Sequence, residues 1–214
     1  MLNIKTFTCN MLSENCYVVS DETNECVVID CGAYYPEEAQ AIINYIRKQQ
    51  LTPRHLLCTH GHFDHCMGNG YIFKAFGLKP EVHQDDNFLM EKMERQTGEI
   101  LGIPIRLDVP PVDHYLTDND SITFGTHTLQ ILHTPGHTPG GIVFYEANEH
   151  IAFSGDTLFR MSIGRTDFER GSYEDMISSL QLLAQQLPAE TTIYPGHGPL
   201  TTIADEIRYN PYMR

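Results

Sequence analysis

Thr59-His60-Gly61-His62-Phe63-Asp64-His65 decides how this chain is read. It places three imidazoles and one carboxylate within six residues, directly after a strand predicted over Arg54 to Thr59. Imidazole nitrogen and carboxylate oxygen suit zinc and other transition metals. The peptide is too crowded to serve one tetrahedral ion. His60 and His62, two apart on extended chain, can point to the same side. Asp64 and His65 fall where the chain turns into a helix and can face a second ion. The plain alternative is a polar loop with surface histidines.

Three more ligand-type residues stand in loops just after predicted strands. They are His137 in Thr134-Pro135-Gly136-His137, Asp156 in Ser154-Gly155-Asp156 and His197 in Pro195-Gly196-His197. A glycine precedes each, which permits a tight turn and a close backbone approach. Singly, each reads as an ordinary turn. Together, at strand ends, they are expected to converge on one rim of the fold.

Around these loops the pattern alternates between strands and helices. Phe7 to Cys9, Cys16 to Val19 and Cys26 to Ile29 read as strands, with a hairpin turn over Ser20 to Glu25. Pro36 opens a helix with Ala39, Ile42, Ile43 and Ile46 at helical spacing and two glutamates in its first turn. A helix is predicted from Asp64 to Phe76, stopped by Gly77. A short strand over Glu81 to His83 leads into a helix running to about Thr97. Gly98 to Thr117, with three prolines, reads as a long surface loop near a site. Strands return over Thr128 to His133, Gly141 to Tyr145 and His150 to Ser154. A helix follows over Asp175 to Leu187, then a last strand at Thr192 to Tyr194 and a short helix from Ile203. Strand blocks bracketed by helices suggest two sheets sandwiched between helices.

Composition narrows the partners. The 214 residues are 41% hydrophobic and 20% charged, a globular balance. Twenty-eight acidic against fourteen basic side chains leave a formal charge of -14. No basic stripe is present, so nucleic-acid binding is not expected. No apolar run approaches the roughly 18 residues of a membrane span, and the first residues lack a signal-peptide pattern. The six cysteines have no CxxC spacing and read as reduced thiols, which points to the cytoplasm. The sequence is silent on oligomeric state.

Asp30 after Val27-Val28-Ile29, then His60-x-His62-x-Asp64-His65, His137, Asp156 and His197 resemble the motifs of the metallo-β-lactamase fold superfamily, in the family's order. Within it the chain resembles the short, single-domain glyoxalase II-like (hydroxyacylglutathione hydrolase-like) hydrolases. The resemblance implies an α+β fold, an αββα sandwich of two mixed sheets flanked by helices. It implies one domain over residues 1–214, without the C-terminal helical domain by which classical glyoxalase II enzymes grip glutathione. It implies two divalent ions, zinc first, with iron or manganese as alternatives. His60, His62 and His137 would hold the first ion and Asp64, His65 and His197 the second, with Asp156 bridging. Asp30 would orient ligands without binding metal; alternatively it is a strand-end turn aspartate.

Such a centre makes hydroxide from water at neutral pH and polarises a carbonyl. The implied activity is hydrolysis of a small-molecule thioester, such as S-lactoylglutathione, by a metal-bridging hydroxide, with Asp64 holding the nucleophile. Gly155-Asp156-Thr157-Leu158-Phe159 and Gly164-Arg165-Thr166-Asp167-Phe168 carry the glyoxalase II-like resemblance further. Arg165 is expected to pair with Asp167 or to bind a substrate anion. Phe159, with Met161, Phe168 and Tyr173, is expected to line the site, unless these aromatic and apolar residues are core. Antibiotic hydrolysis is disfavoured: the best-known zinc β-lactamases of this fold have a cysteine at the position of Asp156 or lack the bridge. Two other functions compete. The same motifs resemble persulfide dioxygenases, in which His60, His137 and Asp156 would hold a single iron. A non-catalytic member would keep its metals as structure.

Overall fold

The computed structural model describes residues 1–102 and 105–213. Its strands run β1 (Asn3–Cys9), β2 (Glu14–Ser20), β3 (Glu25–Ile29), β4 (Thr52–Leu57), β5 (Pro80–His83), β6 (His114–Leu116), β7 (Ser121–Phe124), β8 (His127–His133), β9 (Ile142–Glu146), β10 (Ile151–Gly155), β11 (Leu158–Phe159), β12 (Ser162–Ile163), β13 (Thr192–Pro195) and β14 (Thr201–Thr202). The helices are α1 (Pro36–Lys48), α2 (Phe63–Cys66), α3 (Asn69–Phe76), α4 (Asn87–Glu91), α5 (Met93–Leu101), α6 (Tyr173–Gln186) and α7 (Ile203–Tyr209). One six-stranded sheet has the order β1-β2-β3-β4-β5-β6, and the other β14-β13-β10-β9-β8-β7. Both sheets are mixed: β3 pairs parallel with β4 in the first, and β10 with β13 in the second.

The four-layer arrangement follows from side-chain alternation. Successive residues of a strand face opposite sides of the sheet. Tyr17, Val19, Val27 and Ile29 pack against Phe124, Leu129, Phe144 and Phe153, filling the space between the sheets. Their neighbours Cys16, Val18 and Val28 face the other way and pack with Ala39, Ile42, Ile46 and Ile72 of α1 and α3. On the far side, Val143, Ala152 and Ile193 meet Met176, Leu180 and Leu183 of α6. Every residue of β2 is buried as a result. The expected αββα sandwich of mixed sheets and helices is what the chain forms.

The helix predicted over 64–76 is two helices, α2 and α3. The chain breaks where the Gly68 N–H turns to the Cys31 carbonyl at 2.8 Å. The helix predicted as far as Thr97 is a 3-10 turn at Gln84–Asp86 followed by α4 and α5. It is interrupted because the Asp86 carboxylate points inward and takes hydrogen bonds from two other loops. The loop predicted over 98–117 is a correction. Residues 98–101 finish α5, which stops at Gly102 with φ of 70°, and β6 lies within the stretch; residues 103–104 lie outside the described residues. β6, β11, β12 and β14 are two or three residues long, too short to show a period of two. All six cysteines are free and buried. Among the described residues no helix is long and apolar enough to cross a membrane.

Candidate metal centre

Both sheets end their strands at one rim. His60, His62, Asp64 and His65 follow β4. His137 follows β8, Asp156 follows β10 and His197 follows β13. The rim is tied across the two sheets by the Asn15 N–H to the Gly196 carbonyl at 2.8 Å and by the Ile142 N–H to the Thr59 carbonyl at 2.9 Å. The Tyr17 hydroxyl donates to the Pro195 carbonyl at 2.6 Å. These bonds fix the loop that carries His197. The glycines act as expected. Gly155 has φ of 47°, and a side chain at Gly196 would overlap the Asp156 carboxylate and lie 2.6 Å from His65 Cε1.

The seven predicted ligands meet. One donor atom from each of His60, His62 and His137 falls within 4.8 Å of the others, and so do those of Asp64, His65 and His197. Asp156 forms a further such group with His60 and His65 and stands between the first two. Its Oδ1 is 3.3 Å from His65 Nε2, and its Oδ2 is 3.4 Å from His137 Nε2 and 3.8 Å from His197 Nε2.

The donor set fits cations. His60 Nε2, His65 Nε2 and Asp156 Oδ1 are buried without a hydrogen-bond partner, an expensive arrangement for polar atoms that serve nothing. The outer ring nitrogens are occupied: His65 Nδ1 by Asp30 at 3.0 Å, His137 Nδ1 by the Arg165 carbonyl at 2.6 Å and His197 Nδ1 by the Leu12 carbonyl at 3.2 Å. Those oxygens only accept, so each Nδ1 carries a proton and each Nε2 faces inward, where a bound cation would displace any proton and take the lone pair. His62 is placed the other way round, with Nδ1 2.9 Å from His137 Nε2.

Burial, followed by neighbouring imidazoles, holds His60 well below the ordinary histidine range and His62 at about 3. Both rings are therefore neutral donors. Burial pushes Asp64 and Asp156 up, but the surrounding imidazoles, His65 foremost, together outweigh it and both carboxyls lie below their ordinary value. His65 is the reverse. Burial lowers it, but Asp156, Asp64 and Asp30 hold it well above the ordinary range.

Asp30 combines the two roles considered for it. It has φ of 52° at a strand end. Its carboxylate accepts from the Thr59 N–H and Thr59 hydroxyl, both at 2.7 Å, and from His65. It thus sets the start of the histidine loop and the His65 ring together.

Two acids in this region carry no signal in the sequence. Asp86 accepts from the Gly61 and Gly140 N–H groups at 2.8 and 2.7 Å and from the Thr138 hydroxyl at 2.8 Å, joining the His60–His62 loop to the His137 loop. Glu14 is fully buried, 4.0 Å from His65 Nδ1, and neither of its oxygens has a hydrogen-bond partner. Burial raises its carboxyl well above the ordinary value. Above the ordinary glutamate pKa the unfolded chain ionises while the buried carboxyl holds its proton, so this group lowers stability as pH rises. In chelator-treated protein, the melting temperature of Glu14→Gln relative to wild type should therefore climb steadily from about pH 4 to about pH 8. A difference independent of pH would show that the carboxyl ionises normally.

The rim opens into a cavity of about 390 Å³. His62, Asp64, His137, Asp156 and His197 line it, with Leu12, Phe63, Ile100, Phe159, Gly164, Arg165 and Phe168. Phe159, Phe168 and Arg165 are thus at the site as expected, whereas Met161 and Tyr173 are exposed and absent from its lining. Arg165 also pairs with Asp167, Nε to Oδ1 at 2.6 Å and Nη2 to Oδ2 at 2.7 Å. Leu12 and Ile100 were not foreseen as lining residues, for no pattern marks them.

Residues 10–197 match the model of the Metallo-beta-lactamase superfamily. The chain is 35% identical to the hydroxyacylglutathione hydrolase GloC of Haemophilus influenzae, over 99% of this chain and 98% of that protein. Two solved structures, each 35% identical, align closely. BLEG-1, a B3 metallo-beta-lactamase, has a TM-score of 0.89, covering 100% of this chain and 99% of its own. TTHA1623 in a di-iron-bound form has a TM-score of 0.85, covering 97% and 99%. With its sandwich, its seven converging donors and this match, the chain belongs to the metallo-beta-lactamase superfamily.

Proposed function

We propose that this protein is a metal-dependent thioester hydrolase of the glyoxalase II type. The observation that carries the reading is the meeting of two three-donor groups on Asp156 at the floor of an open cavity. His60, His62 and His137 would hold one divalent ion, and Asp64, His65 and His197 the other, with Asp156 shared. Mixed imidazole and carboxylate donors suit zinc, and also iron and manganese. Ions bound there supply Lewis acidity and lower the pKa of water.

The chain's own groups then have simple tasks. The Asp64 carboxylate accepts a hydrogen bond from the attacking water and keeps a lone pair aimed at the carbonyl. Asp30, the Arg165 carbonyl and the Leu12 carbonyl keep three imidazoles in one tautomer. Phe159 and Phe168 wall the cavity against bulk water. In the overall reaction the acyl carbon–sulfur bond breaks, a carbon–oxygen bond forms with water, and the thiol leaves with a proton. The likeness to GloC supports a thioester as the substrate class.

Metal analysis of protein purified without chelator, paired with thiol release from a thioester panel that includes S-lactoylglutathione, tests this. About two equivalents of divalent metal with thiol release is expected, and His62→Ala should lose metal and rate together. A β-lactam joins the panel because of the likeness to BLEG-1. One equivalent of iron with oxygen uptake on a persulfide would replace the hydrolase by the dioxygenase. Full metal loading without turnover on any substrate would leave a non-catalytic member.

A further inference from the structure

The cavity differs from a site built for an anionic substrate. Besides the candidate ligands, its lining is mostly apolar: Leu12, Phe63, Ile100, Phe159 and Phe168. Leu12 and Ile100 are 40% and 42% exposed, a large share for aliphatic side chains. Among the described lining residues, Arg165 is the one Lys or Arg side chain. Its guanidinium is clasped by both oxygens of Asp167 and lies 4.3 Å over the Phe168 ring. The pair is exposed and weak on its own account. Its effect here is local: Asp167 is not itself part of the cavity lining, but it occupies Nε and Nη2 of Arg165 and offsets the guanidinium charge that a substrate carboxylate would seek. The chain's formal charge of -14 adds long-range repulsion of anions.

Resting on the hydrolase reading above, we propose that the site selects neutral thioesters with an apolar acyl group against anionic thiol conjugates, and that Asp167 enforces the choice by holding Arg165. An apolar acyl chain covers the exposed faces of Leu12, Ile100, Phe159 and Phe168. A glutathione conjugate brings two carboxylates and one ammonium. Its carboxylates find a single guanidinium that already has a partner, and desolvating them against the apolar wall is unfavourable.

The test uses the metal-loaded protein and matched probes. Calorimetry compares two thioethers that cannot be hydrolysed, S-hexyl-N-acetylcysteamine and S-hexylglutathione, which share the tail and differ in charge. Kinetics compares hexanoyl-N-acetylcysteamine with S-hexanoylglutathione, the same acyl group on a neutral and an anionic thiol. The neutral member of each pair should be favoured about tenfold or more, and shortening the acyl chain should weaken it by about fourfold per methylene. Asp167→Asn frees Arg165 and should shift both ratios about threefold to fivefold toward the anionic member, the size of one exposed ion pair. Ile100→Lys should shift them the same way by a separate route. Thiol release with equal or better use of the glutathione conjugates overturns the inference and leaves the hydrolase reading intact. No shift in Asp167→Asn overturns the part given to the clasp. A neutral preference in binding, with no thiol released from any thioester, supports the selectivity while overturning the hydrolase reading.

Discussion

Asp156→Asn should lower kcat/KM for thioester hydrolysis by on the order of 10³-fold, a barrier increase of about 4 kcal/mol, and should cost the protein at least one metal equivalent. The two oxygens of Asp156 face different partners. One lies toward His65, the other toward His137 and His197. Asparagine keeps the size but removes the negative charge and replaces one donor oxygen by an amide nitrogen without a lone pair. Both cation positions lose a neighbour at once. A single imidazole removed from either group would leave the other with its full set. Metal content and steady-state rates on the same preparation decide the matter. A variant that keeps two equivalents and the wild-type rate would show that Asp156 is not shared.

Asp86→Ala should destabilise the chelator-treated protein by about 3–5 kcal/mol, since three buried donors lose one acceptor. For a chain of this size that corresponds to a fall in melting temperature of about 10 °C. Asp86 is fully buried, and burial raises its carboxyl above the ordinary range despite its three hydrogen bonds. The Gly61 N–H sits between His60 and His62, and Thr138 and Gly140 follow shortly after His137. Loss of the tie should therefore also loosen metal binding, which titration of the refolded variant would measure. A melting temperature within about 2 °C of wild type would mean that water replaces the carboxylate at little cost.

The parts of this molecule legible in its sequence are those where chemistry and spacing coincide. His60, His62, Asp64 and His65 stand out because donors at that density have few structural uses. His137, Asp156 and His197 could be joined to them because each follows a glycine at the end of an apolar run. β8 and α1 show their periods of two and 3.6 directly. Asp86 and Glu14 were illegible for the opposite reason. Nothing in Gln84-Asp85-Asp86 says which acid turns inward, and Glu14 opens a strand as any polar residue might be expected to do. Strands of two residues carry no period at all. Leu12 and Ile100 reach the cavity from a turn and from the end of α5, distant in sequence from the ligand loops. Their role depends on tertiary placement alone.

The candidate ligand set is divided between the two sheets. Residues 3–116 build one and residues 121–202 the other, so the His60–His65 group and Asp30 belong to the first half of the chain and His137, Asp156 and His197 to the second. Neither half can present all seven donors by itself. During synthesis the first half emerges earlier, with at most four of them and no shared carboxylate. The complete cage therefore cannot exist before the halves dock, and its assembly reports that the sandwich has closed in the correct register.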